Sequence, residues 1–308
     1  MYRTVLVPLD GSAFAEHALP LALSIAGRAG ATLRLVRVHV PAATLYRSSE
    51  LAAYLDLDTR VREEERAYLD EVSARIGQAC GLRPGTALLD GRIADVLCEQ
   101  GISGADLVVM ATHGRGPLSR FWLGSVADEL VRRLRTPLLL VRPGETAPDL
   151  AHPPAVRHVL IPLDGSAQAE DILAAALELG RLMQADYTLL RVVEPVIVAD
   201  ARLGGNAVSG LDPALRQALQ EEAQVYLERV AERLRSPSVC VQTRVVTNRW
   251  AAGAILEEAG ARAMQLIALA THGRRGLGRL LLGSVADKVL RGASGPVLLR
   301  RCVEGSSE

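Results

Sequence analysis

The chain has 308 residues, 49% of them apolar and 23% charged, which is enough to bury a core. Its 35 basic and 35 acidic residues cancel, which argues against a protein built to neutralise a nucleic-acid backbone. No apolar run reaches the ~18 residues of a membrane span, and MYRTVLVPLDGS lacks the apolar stretch and cleavage site of a secretory leader. Cytoplasm is therefore the expected compartment.

The elements read in chain order as follows. TVLVPL, Thr4 to Leu9, is a short apolar run of the kind expected for a buried parallel strand. DGS breaks it. AFAEHALPLALSIAGRAG then has helical spacing and ends in glycine, with Pro20 expected to kink it. Thr32 to Val40 reads as a second strand and a polar helix follows near Thr59 to Gln78. GTALLDG, ADLVVMAT and TPLLLVR read as strands three to five, with IADVLCEQGI and SVADELVRRLR as helices between them. HVLIPL, DYTLLRVV, VQTRVV, MQLIALAT and GPVLLR repeat the strands in the second half. Alternating strands and helices predict an α/β fold: two tandem, doubly wound, parallel five-stranded sheets with helices on both faces. The expected domains are 1–143 and 157–303, joined by a Pro-rich linker at 144–156.

Repetition is the strongest signal. VLVPLDGSAFAE from Val5 returns as VLIPLDGSAQAE from Val159, and ATHGRGPLSRFWLGSVAD from Ala111 returns as ATHGRRGLGRLLLGSVAD from Ala270. The first peptide follows strand one and the second follows strand four. Sheets of this type bind ligands beyond the carboxyl ends of their strands, where strand order reverses. Two distant peptides can thus line one cleft, and two copies give two clefts.

The residue types suggest anion chemistry. Gly124 and Ser125 open a helix, whose unpaired N–H groups and positive dipole end attract a phosphate. Gly114 and Gly116 allow an N–H-lined concavity upstream, and Gly273, Gly276, Gly283 and Ser284 match in the second half. The plain alternative is a set of turn glycines with a serine cap. Asp10 and Asp164 can accept from a ribose hydroxyl or hold water around a cation, or can simply form Asx turns. Glu16 and Glu170 read as helix-dipole partners. His113 and His272 lack a nucleophile or a second ligand at useful spacing, and read as loop-shaping residues. Arg115, Arg274 and Arg275 reach phosphate or solvent. Lys288 is the single lysine and lies outside any Gly-Lys-Ser/Thr loop, so a Walker site is absent and pyridoxal chemistry would have one possible anchor. Cysteines 80, 98, 240 and 302 form no CxxC pair, so no zinc or disulfide framework is indicated.

These peptides resemble the universal stress protein family over nearly the whole chain, as a tandem member. VPLDGS is similar to the family's start. Ala111-x2-Gly114-x9-Gly124-Ser125 and Ala270-x2-Gly273-x9-Gly283-Ser284 match the G-x2-G-x9-G-[ST] pattern of its ATP-binding variant, except that alanine replaces the first glycine. The resemblance implies ATP as ligand, with Mg2+ or Mn2+ on the phosphates and no direct protein ligand to the metal. Adenine would meet the backbone at Val38 and Val192, and ribose or metal-bound water would sit near Asp10 and Asp164. Phosphates would lie on Gly114, Gly124, Ser125 and Val126 and on Gly273, Gly283, Ser284 and Val285. Pro8, Leu9, Ser12, Ala111 and Arg115, with Pro162, Leu163, Ser166, Ala270 and Arg274, complete the implied sites.

The resemblance also implies that the fifth strands pair edge to edge, here within one chain, and a homodimer is a further expectation. The leading function is a nucleotide-binding stress regulator without dedicated catalysis. Alternatives are a slow ATPase or nucleotidyl transferase, and a nucleotide-independent scaffold.

Overall fold

The computed structural model describes residues 1–41, 51–112, 123–195, 198–199, 208–209, 213–236, 239–261, 266–271 and 282–301. In chain order the elements are β1 (Thr4–Pro8), α1 (Leu19–Ala29), β2 (Thr32–His39), α2 (Leu51–Cys80), β3 (Gly85–Asp90), α3 (Ile93–Gly104), β4 (Leu107–Ala111), α4 (Ser125–Arg133) and β5 (Leu138–Val141). The second half gives β6 (His158–Pro162), α5 (Ile172–Met183), β7 (Asp186–Val193), α6 (Pro213–Leu234), β8 (Val241–Thr247), α7 (Ala251–Ala261), β9 (Leu266–Ala270), α8 (Ser284–Gly292) and β10 (Val297–Arg300). A two-residue ribbon, Val198–Ala199 against Val208–Ser209, precedes α6. Among the described residues no helix is long and apolar enough to cross a membrane.

Contacts divide the chain into two compact units. Unit 1 holds Met1–Ala155 and the last strand, and unit 2 holds Val156–Leu277 with Leu282–Ala293. In unit 1 the strand order is β3-β2-β1-β4-β5-β10. The first five strands are parallel, as βαβ crossovers require. In unit 2 the order is β8-β7-β6-β9, all parallel. Helical crossovers cover both faces, so the central strands read as unbroken apolar runs: Val5, Leu6 and Val7 of β1 and Val159, Leu160 and Ile161 of β6 are all 0% exposed. In each unit the order reverses between strand one and strand four, which places the switch point between β1 and β4 and between β6 and β9.

The fifth strands pair within the chain, as the sequence implied. β10 lies antiparallel on β5, with Val297 opposite Leu140, Leu298 opposite Leu139 and Leu299 opposite Leu138. That pairing explains why contacts group β10 with unit 1 although it ends the second sequence repeat. The repeat boundaries themselves, 1–143 and 157–303, remain a proposal about sequence units.

Two local expectations are corrected. Pro20 does not kink a helix. A 3-10 turn at Ala15–Ala18 comes first, and α1 begins at Leu19, so Pro20 sits in the first turn. There its missing N–H has no partner to lose. Helix α2 starts at Leu51 and ends at Cys80, longer at both ends than the polar stretch suggested.

The amino-terminal strand is tied by a carboxylate. Asp106 Oδ2 accepts from the backbone N–H of Arg3 at 2.8 Å and of Thr4 at 2.9 Å. Burial pushes its pKa up, but these two donors, with the Arg3 charge, win and hold it below the usual carboxylate value. A depressed native pKa gives stability that is present above the unfolded value near ~4 and is lost as pH falls through the native value. Asp106→Asn should therefore flatten the acid limb of the stability curve below about pH 4, with little change in its slope at neutral pH. Urea midpoints measured from pH 3 to 7 check this, and an unaltered acid limb would contradict it.

Candidate functional site

Each cleft is built by the same local devices. In unit 1, Asp10 Oδ1 accepts from Ser12 N at 2.9 Å and from Ser12 Oγ at 2.6 Å, an Asx turn closed over Gly11 at φ 83°. Ser12 Oγ in turn accepts from Ala15 N at 3.2 Å. In unit 2, Asp164 Oδ1 accepts from both Ser166 N, at 3.0 Å, and the Ser166 hydroxyl, over Gly165 at φ 81°. Ser166 Oγ caps the next turn by accepting from Ala169 N at 3.1 Å. The two serine hydroxyls are thus engaged in shaping the turn after strand one. Each aspartate holds an Asx turn, and Asp164 also lines a cavity.

The helix after strand four is fastened to that strand. Gly124 N donates to Thr112 O at 2.9 Å, and Gly283 N donates to Thr271 O at 2.8 Å. Gly124 (φ −61°, ψ 151°) and Gly283 (φ −58°, ψ 142°) are the N-caps of α4 and α8. A glycine cap offers no side-chain oxygen, so the first-turn N–H groups are left for water or a ligand. Ser125 and Ser284 are the first helical residues rather than the caps. Ala111 and Ala270 end β4 and β9 as buried residues, and neither has positive φ, so a methyl is unstrained where the motif has glycine.

Unit 2 encloses a cavity of about 840 Å³, within the usual range for a small-molecule site. The sequence-expected residues Pro162, Leu163, Asp164, Val192, Ala270, Gly283, Ser284 and Val285 all line it, and Ser166 does not. One wall is apolar, from Leu190, Val192 and Val193 of β7 with Leu219 and Ala223 of α6. Arg191, Arg229 and Glu222 add charge. In unit 1, Pro8, Leu9, Asp10, Val38, Gly124, Ser125 and Val126 occupy the corresponding ends of β1, β2 and α4. Gly114, Arg115, His113, Gly273, Arg274 and His272 lie outside the described residues. Among the described residues, no group of three His, Cys, Asp or Glu side chains could hold a metal ion.

Glu16 and Glu170 do more than face a helix dipole. Both Glu16 oxygens accept from Arg75 Nη2 at 2.8 Å, and Tyr68 donates to Oε1 at 3.1 Å. Glu170 accepts from Tyr226 at 2.9 Å and from Arg233. Each carboxylate pins the long helix of its unit beside the turn after strand one. Burial, then the Glu170 hydrogen bond, push the Tyr226 phenol well above its ordinary pKa, so it stays a neutral donor while its side chain lines the cavity. Sequence reasoning missed Tyr226 and Arg229. The signal was there, because YLDEVSAR at 68 and YLERVAER at 226 repeat inside helices otherwise read as polar cover.

A doubly wound, mostly parallel sheet with helices on both faces, and with an apolar slot, an acidic turn and an uncapped helix start at its switch point, is a Rossmann-like α/β architecture. The sequence model of the universal stress protein family matches residues 1–142 and again 155–301. The chain belongs to that family, as a tandem two-domain member. Universal stress protein Rv2005c of Mycobacterium tuberculosis is 35% identical over 203 residues, 64% of this chain and 62% of its own length. A universal stress protein of Mycolicibacterium smegmatis is 27% identical over 307 residues, 96% of each chain. Among solved structures, a universal stress protein from Archaeoglobus fulgidus superposes with a TM-score of 0.67 at 17% identity, covering 98% of this chain and 97% of its own. That likeness shows the fold.

Proposed function

We propose that unit 2 binds an adenine nucleotide, ATP with its Mg2+ or Mn2+, and that the protein reports nucleotide state in a stress response rather than catalysing a reaction. The observation that carries this reading is the 840 Å³ cavity, which joins Asp164, the β7–α6 apolar wall and the first turn of α8 in one space. A flat base suits the Val192–Ala223 side, where β7 offers backbone donors and acceptors at its end. Asp164 is an acceptor for ribose hydroxyls or for metal-bound water. The N–H groups at Ser284 and Val285, with the positive end of α8, suit phosphates, and Arg229 supplies a cation. The metal would arrive with the phosphates. A soluble, cytoplasmic homodimer belongs to the same proposal, as does a downstream protein partner.

The experiment is thermal unfolding with and without ATP and Mg2+. A ligand of the native state alone raises stability by about 2.7 kcal/mol at 100 times its dissociation constant. AMP and cyclic AMP, run in parallel, report how much the phosphate chain contributes. Phosphate release should stay at the rate of free ATP. No shift at millimolar ATP would defeat the reading, and steady turnover would make the protein an enzyme.

A further inference from the structure

The two clefts share a scaffold but differ in the side chains that face each other across it. β2 and β7 correspond residue by residue, which sets His39 against Val193 and Arg37 against Arg191. The matched Tyr68 and Tyr226 of α2 and α6 set Glu65 against Ala223, Glu71 against Arg229 and Asp58 against Arg216. In unit 2, Val193 and Ala223 form part of the apolar wall and Arg229 lines the cavity.

In unit 1 the same positions are joined by a ladder of polar contacts. His39 Nδ1 lies 2.8 Å from Glu65 Oε2 and His39 Nε2 lies 2.9 Å from Asp58 Oδ1. Arg37 Nε lies 3.1 Å from Glu65 Oε1, and its guanidinium sits over the Tyr68 ring at 5.4 Å. Arg62 bridges Asp58 at 2.9 Å and Asp90 at 2.7 Å. His39 is 3% exposed and Glu65 is 8% exposed. The ladder ties β2 to α2 across the space that Val193 and Ala223 leave apolar in unit 2.

A base entering between β2 and α2 would have to separate these pairs and leave a buried carboxylate without its partners, which is strongly unfavourable. Glu71 in place of Arg229 also puts a negative charge where unit 2 offers a positive one to phosphates. We propose that the chain takes one adenine nucleotide, in unit 2 alone, and that the His39–Glu65–Asp58 ladder makes the first cleft a structural copy that does not bind it. This rests on the nucleotide reading of unit 2.

The test is calorimetric titration of the full chain with ATP and Mg2+. The expected stoichiometry is one per chain, with that single site weakened about a hundredfold in Gly283→Val. Arg229→Glu installs the acidic residue type of unit 1 at an exposed position and so leaves folding intact. It should weaken the single site at least tenfold, while Glu71→Arg leaves the titration as it was. Two sites in the natural chain, one of them keeping its full affinity in Gly283→Val, would overturn the asymmetry and leave the nucleotide reading standing. No heat at all in the natural chain would instead overturn the nucleotide reading, and this proposal with it.

Discussion

Gly283→Val is expected to lower ATP affinity about a hundredfold, roughly 2.8 kcal/mol, without unfolding the chain. Gly283 is the N-cap of α8, lines the unit 2 cavity, and is held by its own N–H to Thr271 O at 2.8 Å. Its φ of −58° and ψ of 142° lie in the extended region that valine adopts readily, so the backbone carries no strain from the change. The damage is one of space. A branched side chain fills the point where, in the proposed nucleotide complex, phosphate oxygens would approach first-turn N–H groups. Gly283→Ala should lose about tenfold, because a single methyl leaves part of that approach open. Thermal shifts across an ATP series read both variants. A valine variant with unchanged affinity would move the phosphates elsewhere.

The second large effect concerns the sheet of unit 1. A chain ending at Ala293 lacks β10, which contributes Val297, Leu298 and Leu299 at 2%, 0% and 1% exposure. Burying each such side chain contributes about 1.5–3 kcal/mol, so losing three removes a sum comparable with the ~5–15 kcal/mol that holds a typical domain. The truncation also bares the β5 edge, Leu138–Val141, as an unpaired and strongly apolar row. The truncated chain should therefore unfold at lower urea or associate through β5. Light scattering together with a urea titration checks this. A monomer with the full chain's midpoint would show that the β5–β10 pairing carries little stability.

The strands and their doubling were legible because buried parallel strands are short unbroken apolar runs, and because whole peptides recur at 5 and 159 and at 111 and 270. Pairing of the fifth strands was legible through the family resemblance, and their apolar runs, TPLLLVR and GPVLLR, suit such an edge. The start of α2 was missed although Leu51, Tyr54 and Leu55 keep helical spacing behind Ser48 and Ser49, because the run of charged residues from Thr59 onward is the stronger signal. The anchoring of Glu16 by Arg75 and of Glu170 by Arg233 was hidden for another reason: these partners are 59 and 63 residues apart, and only the fold brings them together. Most instructive is the difference between the clefts. The repeated loops look alike, whereas His39, Glu65 and Glu71 sit on elements whose pattern reads as scaffold. Their meaning depends on which residue each faces across the β2–α2 gap, and spacing along the chain does not carry that information.

The most direct measurement is photocrosslinking with 8-azido-ATP followed by peptide mapping. Label is expected in the β7–α6 wall of unit 2, near Val192 and Tyr226, removed by excess ATP with Mg2+. Label that excess ATP fails to displace, or label confined to peptides of unit 1, would contradict it.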